Sequence, residues 1–351
     1  MNILYIPLEF PDFQSAKKLP YPVGIGLAEG FKDIDFTVVP SFYNSELWGK
    51  YLHQIVMGQE FDQIWFEVLH SKMSVETLEF IASLAPVRVG LMLESLTILP
   101  EDYAIDPDGT KNREDNLKMK LPYLTHVVVA DQRDLVYFKI PATFEVPSVP
   151  ENIIDPNLNK KAMDSDKIIF HGENNRWTNL LGDRALVNPQ AGLERIGQVP
   201  LQYENMTRAT FDNMKGKEAI PIGYYKKFYD NWINIRKAMY SIQMNMLWGI
   251  EGYGFLNPPN RNNMVPSSVI EAMAAGKVVF SSRMYNGADF LFTNGKDILL
   301  YESFEHLLDL INLLSEDDKK DIARNAVNTV LESHTTEKQV ERILKFVEES
   351  K

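Results

Sequence analysis

Short apolar runs alternate with amphipathic ones through the first half of the chain, and this alternation restricts the fold most. ILYI (3–6), FTVV (36–39), IWFEV (64–68), VRVGLML (87–93) and HVVVA (126–130) are each long enough for one buried strand. VGIGLAEGF (23–31), SVETLEFIASL (74–84) and DQRDLVYFK (131–139) lie between them with helical spacing. Strands that are apolar throughout need cover on both faces. Strand–helix alternation therefore predicts a mostly parallel sheet with helices on each side, an α/β doubly wound unit.

The second half repeats the pattern after a Pro-rich stretch at 146–166, which reads as a linker because Pro interrupts both helix and ladder. KIIFHG (167–172), SIQMNML (241–247) and KVVFSS (277–282) read as strands, and 224–240 as a helix. Three helical runs close the chain at 304–314, 316–333 and 336–350. With 351 residues, two domains are expected, at about 100–200 residues each. The expected boundaries are an N-terminal Rossmann-like unit at 1–155 and a C-terminal one at 156–335. A final helix at 336–351 is expected to pack back on the first unit. Ligands of such sheets sit beyond the carboxyl ends of the strands, which places the expected site in the cleft between the two.

Composition narrows the chemistry. The chain has no cysteine, which removes disulfides, thiolate catalysis and Cys-based metal sites and fits a reducing, cytoplasmic compartment. The N-terminus lacks a basic, long-apolar leader pattern, and no stretch is apolar enough to predict a membrane span. A net charge of −12 repels phosphate backbones, so nucleic acid is not the favoured partner.

Residues 260–282, NRNNMVPSSVIEAMAAGKVVFSS, read as a polar loop, a capped helix, a Gly turn and a buried strand. Ser267 or Ser268 is expected to cap the helix, leaving the first-turn N–H groups near Ser267, Ser268 and Val269 for an anion at the positive end of the dipole. Glu271 follows one turn in, where a carboxylate can accept both hydroxyls of a ribose. Ser268-x-x-Glu271 also spells a capping box, a purely structural use of the same residues. Ala272, Ala274 and Ala275 permit close helix–sheet packing, and Gly276 ends the helix. Arg261 and Asn263 in the preceding loop suit phosphate and sugar contacts.

This segment resembles the signature of group-1 glycosyltransferases, in which a Glu-Ala-Met/Ala-x-Gly helix carries the donor's ribose-binding glutamate. NGADFLFTNGKDILLYESFEHLLDLINLL (286–314) and NAVNTVLESHTTEKQVERIL (325–344) resemble the family's following segments in the same order. The match covers roughly 220–345 and is similar to spore-maturation CgeB-type proteins. The resemblance implies the GT-B architecture: two Rossmann-like domains facing a cleft, with a nucleoside-diphosphate-sugar bound mainly by the C-terminal one. It implies Glu271 as the ribose ligand and a retaining transfer. Many retaining members carry a second Glu eight positions before the ribose Glu. Here that position is Asn263, which offers a hydrogen-bond donor and acceptor but no charge.

Other candidates follow from position. Gly172, in HGENNR after the first strand of the second unit, allows close backbone approach to a diphosphate, and Arg176 and Arg184 are the nearby cations. Gly24 and Gly26 open a helix in the first unit, the usual phosphate-side device. Glu67 and His70 follow one strand of that unit, and Glu94 and Ser95 another. His70, which titrates near neutrality, is the expected general base, with Glu94 beside it as the second catalytic candidate. Asp106-Pro-Asp108 and Asp164-Ser-Asp166 spell D-x-D but read as turn and linker. Neither a cofactor nor a metal is expected. The partners are a nucleotide-sugar donor and a hydroxyl-bearing acceptor. Transfer to modified bases in DNA, or donor binding without catalysis, are the alternatives.

Overall fold

A computed structural model gives the fold. It describes residues 1–9, 27–42, 47–92, 94–96, 107–154, 165–170, 176–187, 231–234, 237, 252–259, 264–283 and 291–350. The strands of the first unit's main sheet are β1 (Asn2–Ile6), β2 (Asp35–Val38), β3 (Gln63–Glu67), β4 (Val87–Leu91), β5 (His126–Val129) and β6 (Ala142–Phe144), and Leu8–Glu9 pairs with Ser41–Phe42 in a separate short parallel ladder. Those of the second are β7 (Ile168–Phe170), β8 (Ala185–Val187), β9 (Gly254–Asn257), β10 (Val278–Ser282) and β11 (Leu299–Tyr301). The helices are α1 (Leu47–Ile55), α2 (Val75–Leu84), α3 (Pro107–Lys120), α4 (Arg176–Leu181), α5 (Ser267–Ala274), α6 (Phe304–Leu313), α7 (Glu316–Ser333) and α8 (Thr336–Glu349).

The sheets run β2-β1-β3-β4-β5-β6 and β8-β7-β9-β10-β11, and every adjacent pair is parallel. Each sheet starts in its interior, steps outward once, and then reverses. The reversal leaves a crevice at the carboxyl ends of β1 and β3 in one sheet and of β7 and β9 in the other. Strand alternation splits the first sheet's side chains between two cores. Leu4, Ile6, Ile64 and Phe66 pack with Trp48, Leu52, Leu78 and Ile81 on one face. Ile3, Tyr5, Trp65 and Val89 pack with Leu27, Phe31, Val340, Ile343 and Val347 on the other. The second face is therefore closed by α8, from the far end of the chain. Gly30 allows this approach, because a Cβ there would lie 2.6 Å from the Thr336 carbonyl oxygen and 2.6 Å from Val340 Cγ2.

The structure differs from the sequence reading in five places. Residues 131–139 form a 3-10 turn at Gln132–Tyr137 rather than an α-helix, because Asp131 caps it by accepting the Arg133 N–H. DPDGT does not make a turn that ends an element, since Pro107 begins α3, the first-turn position where a missing N–H does no harm. The 146–166 stretch is not an exposed linker throughout. Val146 and Val149 are buried, and Val149 bridges to Thr335 through Val149 N–H to His334 O (3.1 Å) and Thr336 N–H to Val149 O (3.0 Å). Trp232 is buried in the first sheet's core although it lies in the chain's second half, because a helix's apolar stripe does not state which sheet it will cover. The short strands β6, β8, β9 and β11 were not separable from loops by periodicity. The strand expected at 241–247 lies outside the described residues.

Candidate functional site

On the second sheet, α5 follows β9 and presents its N-terminus at the crevice side. Pro266, not a serine, occupies the N-cap, and no side chain caps the helix. The capping-box arrangement is therefore absent, and Ser267 and Ser268 are the first two helical residues. Val269 does not offer its N–H outward, since it donates to Pro266 O at 3.0 Å. The N–H groups of Ser267 and Ser268 remain in the turn where no intrahelical carbonyl can reach them. Glu271 is buried, at 1% exposure, and every residue from Val269 to Ala274 is buried with it. The helix ends in a Schellman motif. Gly276, at φ 66°, donates to Met273 O at 2.9 Å and Lys277 donates to Ala272 O at 3.0 Å.

Beside α5 the carboxyl ends of three strands are tied together. Asn257 Nδ2 donates to Ser281 Oγ (2.8 Å), and the Tyr301 hydroxyl donates to Asn257 O (2.9 Å). Sequence reasoning missed Asn257 and Ser281, because a single polar residue ending an apolar run looks like any strand terminus.

Arg184 is displaced from its expected role. It precedes β8, and Ala185 pairs with Ile168, the first residue of β7. Arg184 thus lies at the amino-terminal rim, where its Nη1 donates to Asn312 Oδ1 at 3.0 Å. Arg176 begins α4, next to the carboxyl end of β7, and its side chain lies outside the described residues. Gly24, Gly26, Gly172, Arg261 and Asn263 also lie outside them.

The first sheet's crevice carries a charged cluster. The Glu67 carboxylate ends β3 and accepts the backbone N–H groups of Leu69 (2.6 Å), His70 (2.7 Å) and Ser71 (2.6 Å). His70 Nδ1 stands 3.0 Å from Glu67 Oε1, and Nε2 stands 3.5 Å from Glu94 Oε2. Glu94 is also paired with Arg113. Burial would raise the Glu67 pKa, but the His70 hydrogen bond and charge, the Lys120 charge and the Ser71 N–H outweigh it and hold the acid at about 2. Burial would lower the His70 pKa, but hydrogen bonds and charge from Glu67 and Glu94 push it up to about 9. Glu94 is held below its ordinary value, with burial opposed by His70 and Arg113.

This environment argues against the general-base role expected of His70. The shift favours the protonated imidazole, which has no lone pair to take a proton. It is a hydrogen-bond donor set against the acceptor Glu94. A hydroxyl set against both, to one side of the pair, can accept from His70 Nε2 and donate to Glu94. Ser95 is buried beside this rim and donates to Asp131 Oδ2 at 2.7 Å. Among the described residues, no group of His, Cys, Asp and Glu is placed to hold a metal ion, and no helix is long and apolar enough to cross a membrane.

Residues 242–345 match a family model described as glycosyl transferase-like. Solved structures match along the whole chain. HepE of Anabaena in complex with UDP superposes with a TM-score of 0.53 at 13% identity, covering 99% of this chain and 100% of that one. Sucrose-phosphate synthase from Thermosynechococcus elongatus gives 0.56 at 11% identity, covering 100% of both. The fold is GT-B. An alpha-glucosyltransferase in complex with UDP and a 13-mer DNA has the same GT-B fold at 0.55 and 10% identity, covering 99% and 100%. No curated protein sequence matches the chain.

Proposed function

We propose that the protein is a glycosyltransferase that moves a sugar from a nucleoside-diphosphate-sugar to a hydroxyl acceptor. One observation carries the reading. Glu271 is a buried carboxylate one turn inside a helix whose tip has no side-chain cap and faces the crevice of the second sheet. In this reading Glu271 accepts the ribose hydroxyls, and the Ser267 and Ser268 N–H groups receive the diphosphate. Preorganised dipoles then stabilise the leaving diphosphate without a metal. Across the cleft, His70 and Glu94 orient the acceptor hydroxyl. Retention of configuration, a UDP-linked donor and a cytoplasmic setting belong to the same proposal. UDP is supported by the complexes of structures that share the fold.

The test is incubation with UDP-, GDP-, ADP- and CDP-linked sugars, followed by thermal shift and by release of free diphosphate. One donor is expected to raise the melting temperature and to be hydrolysed slowly without acceptor. A donor that binds and is neither transferred nor hydrolysed would point to a non-catalytic binder. No shift with any donor would refute the proposal.

A further inference from the structure

Helix α3 escaped the sequence reading, yet three of its side chains reach the first sheet's crevice. Arg113, Asn116 and Lys120 are spaced i, i+3 and i+7, which on a helix is one face. Arg113 donates to Glu94. Asn116 Nδ2 donates to Leu69 O at 2.9 Å. Lys120 Nζ donates to Val68 O (2.9 Å), to Ser71 O (2.5 Å) and to Ser71 Oγ (3.1 Å). With Glu67 holding the N–H groups of residues 69–71, both kinds of backbone group in this turn are bound by side chains rather than by a ladder. The turn's geometry is therefore written in Glu67, Asn116 and Lys120.

Lys120 is fully buried. An ammonium there loses its hydration, so an apolar side chain of the same length would serve packing at lower cost. The residue's distinctive contribution is its fixed bonds to the turn that carries His70. We propose that Arg113, Asn116 and Lys120 form a positioning face, which sets the mutual geometry of His70 and Glu94 and so the orientation of the acceptor hydroxyl. The functional half of this statement rests on the acceptor reading above; the geometric half does not. All three act through other residues and are positioning residues, not catalytic ones.

The test follows the His70 ring by NMR as pH is raised, in the wild type, Asn116→Ala, Lys120→Met and Leu117→Ala. Leu117 is buried on the same helix and packs into the core, so it controls for simple destabilisation. Asn116→Ala changes no charge. Loosening the turn is expected to bring the His70 midpoint down by about one unit toward its ordinary value. Lys120→Met is expected to shift the His70 and Ser71 amide protons upfield as their bonds to Glu67 lengthen. Leu117→Ala is expected to lower the melting temperature and leave both signals in place. If Lys120→Met fails to fold, Asn116→Ala decides alone. An unchanged His70 midpoint in Asn116→Ala would overturn the proposal. The titration needs neither donor nor turnover, so such a failure leaves the glycosyltransferase reading standing. Loss of donor-induced stabilisation would do the reverse. Where turnover is found, Asn116→Ala is expected to lower kcat while leaving the donor's KM unchanged.

Discussion

Replacing Glu271 by Gln separates ribose recognition from a structural role. The side chain is buried, and its helical neighbours from Val269 to Ala274 are buried with it. Ala would open a cavity and confuse the result, whereas Gln keeps the volume. A carboxylate accepting two hydroxyls makes two charge-assisted bonds, of about 1.5–3 kcal/mol each. The amide retains part of this, so a loss of about 2 kcal/mol, roughly thirtyfold in affinity, is expected. At about 100 times its dissociation constant a donor stabilises the wild type by about 2.7 kcal/mol. The same concentration is about three times the variant's constant and gives about 0.9 kcal/mol. A melting shift of roughly 5 °C would fall to between about 1 and 2 °C. The assay is a thermal melt of each protein with and without the donor that works best on the wild type. A variant that melts normally alone and keeps the full donor shift would refute the reasoning.

Three further outcomes follow from the rest of the structure. His334 is buried at the crossing between the two halves, and neither ring nitrogen has a hydrogen-bond partner among the described residues. Burial and the Arg342 charge lower its pKa to about 4. The unfolded chain therefore binds the extra proton between pH 6.5 and 4, so stability contributed by neutral His334 is lost as pH falls through that window. The loss is about 3 kcal/mol at most, visible in urea titrations at pH 7 and 4.5 and absent in His334→Leu. Arg342 grips the buried Glu145 carboxylate through Nε (2.9 Å) and Nη2 (2.6 Å). Arg342→Met alone should cost about 1–3 kcal/mol, since Arg342 is partly exposed and Glu145, its pKa already raised by burial, can take up a proton, and adding Glu145→Leu should recover much of the loss in the same denaturant assay. Gly30→Ala should push α8 off the first sheet, costing about 1–3 kcal/mol in a thermal melt.

The strands that sequence located best are those buried on both faces. Ile3–Ile6 and Ile64–Phe66 are apolar without a break because helices cover both sides, so composition alone marks them. β6, β8 and β11 have three residues each, too few to show a period. α3 was hidden by its own polarity. Its exposed faces are charged, and the face it turns inward sets one buried hydrophobic, Leu117, among Arg113, Asn116 and Lys120, too little to read as a hydrophobic stripe. The polar crevice residues were legible as strand ends, so Glu67, His70 and Glu94 were found. Their protonation was not, because it depends on which carboxylate each strand end brings to the imidazole. Arg184 was misplaced for a related reason. Sequence distance from Gly172 is short, but one helix and one 3-10 turn carry the chain from the carboxyl rim of the sheet to the opposite one.

The two halves share one strand order but treat their crevice amides in opposite ways. In the second half, the tip of α5 has no side-chain cap, and the N–H groups of Ser267 and Ser268 are left for a partner outside the helix. In the first half, the N–H groups of Leu69, His70 and Ser71 converge on a carboxylate from the protein's own strand. Successive amides of this kind form an anion-binding concavity, and here Glu67 already fills it. A phosphate would have to displace a carboxylate whose pKa is held at about 2, against burial, by His70, Lys120 and the Ser71 N–H. Nucleotide binding at this turn is thus closed off by an internal anion. What the turn holds instead is the His70 ring, its pKa pushed up, beside a second carboxylate, the pair that the proposed reading assigns to a neutral hydroxyl. On the proposed reading, one topology would in this way serve a charged ligand on one side and an uncharged one on the other, the difference lying in whether the anion at the strand end comes from the chain or from the ligand.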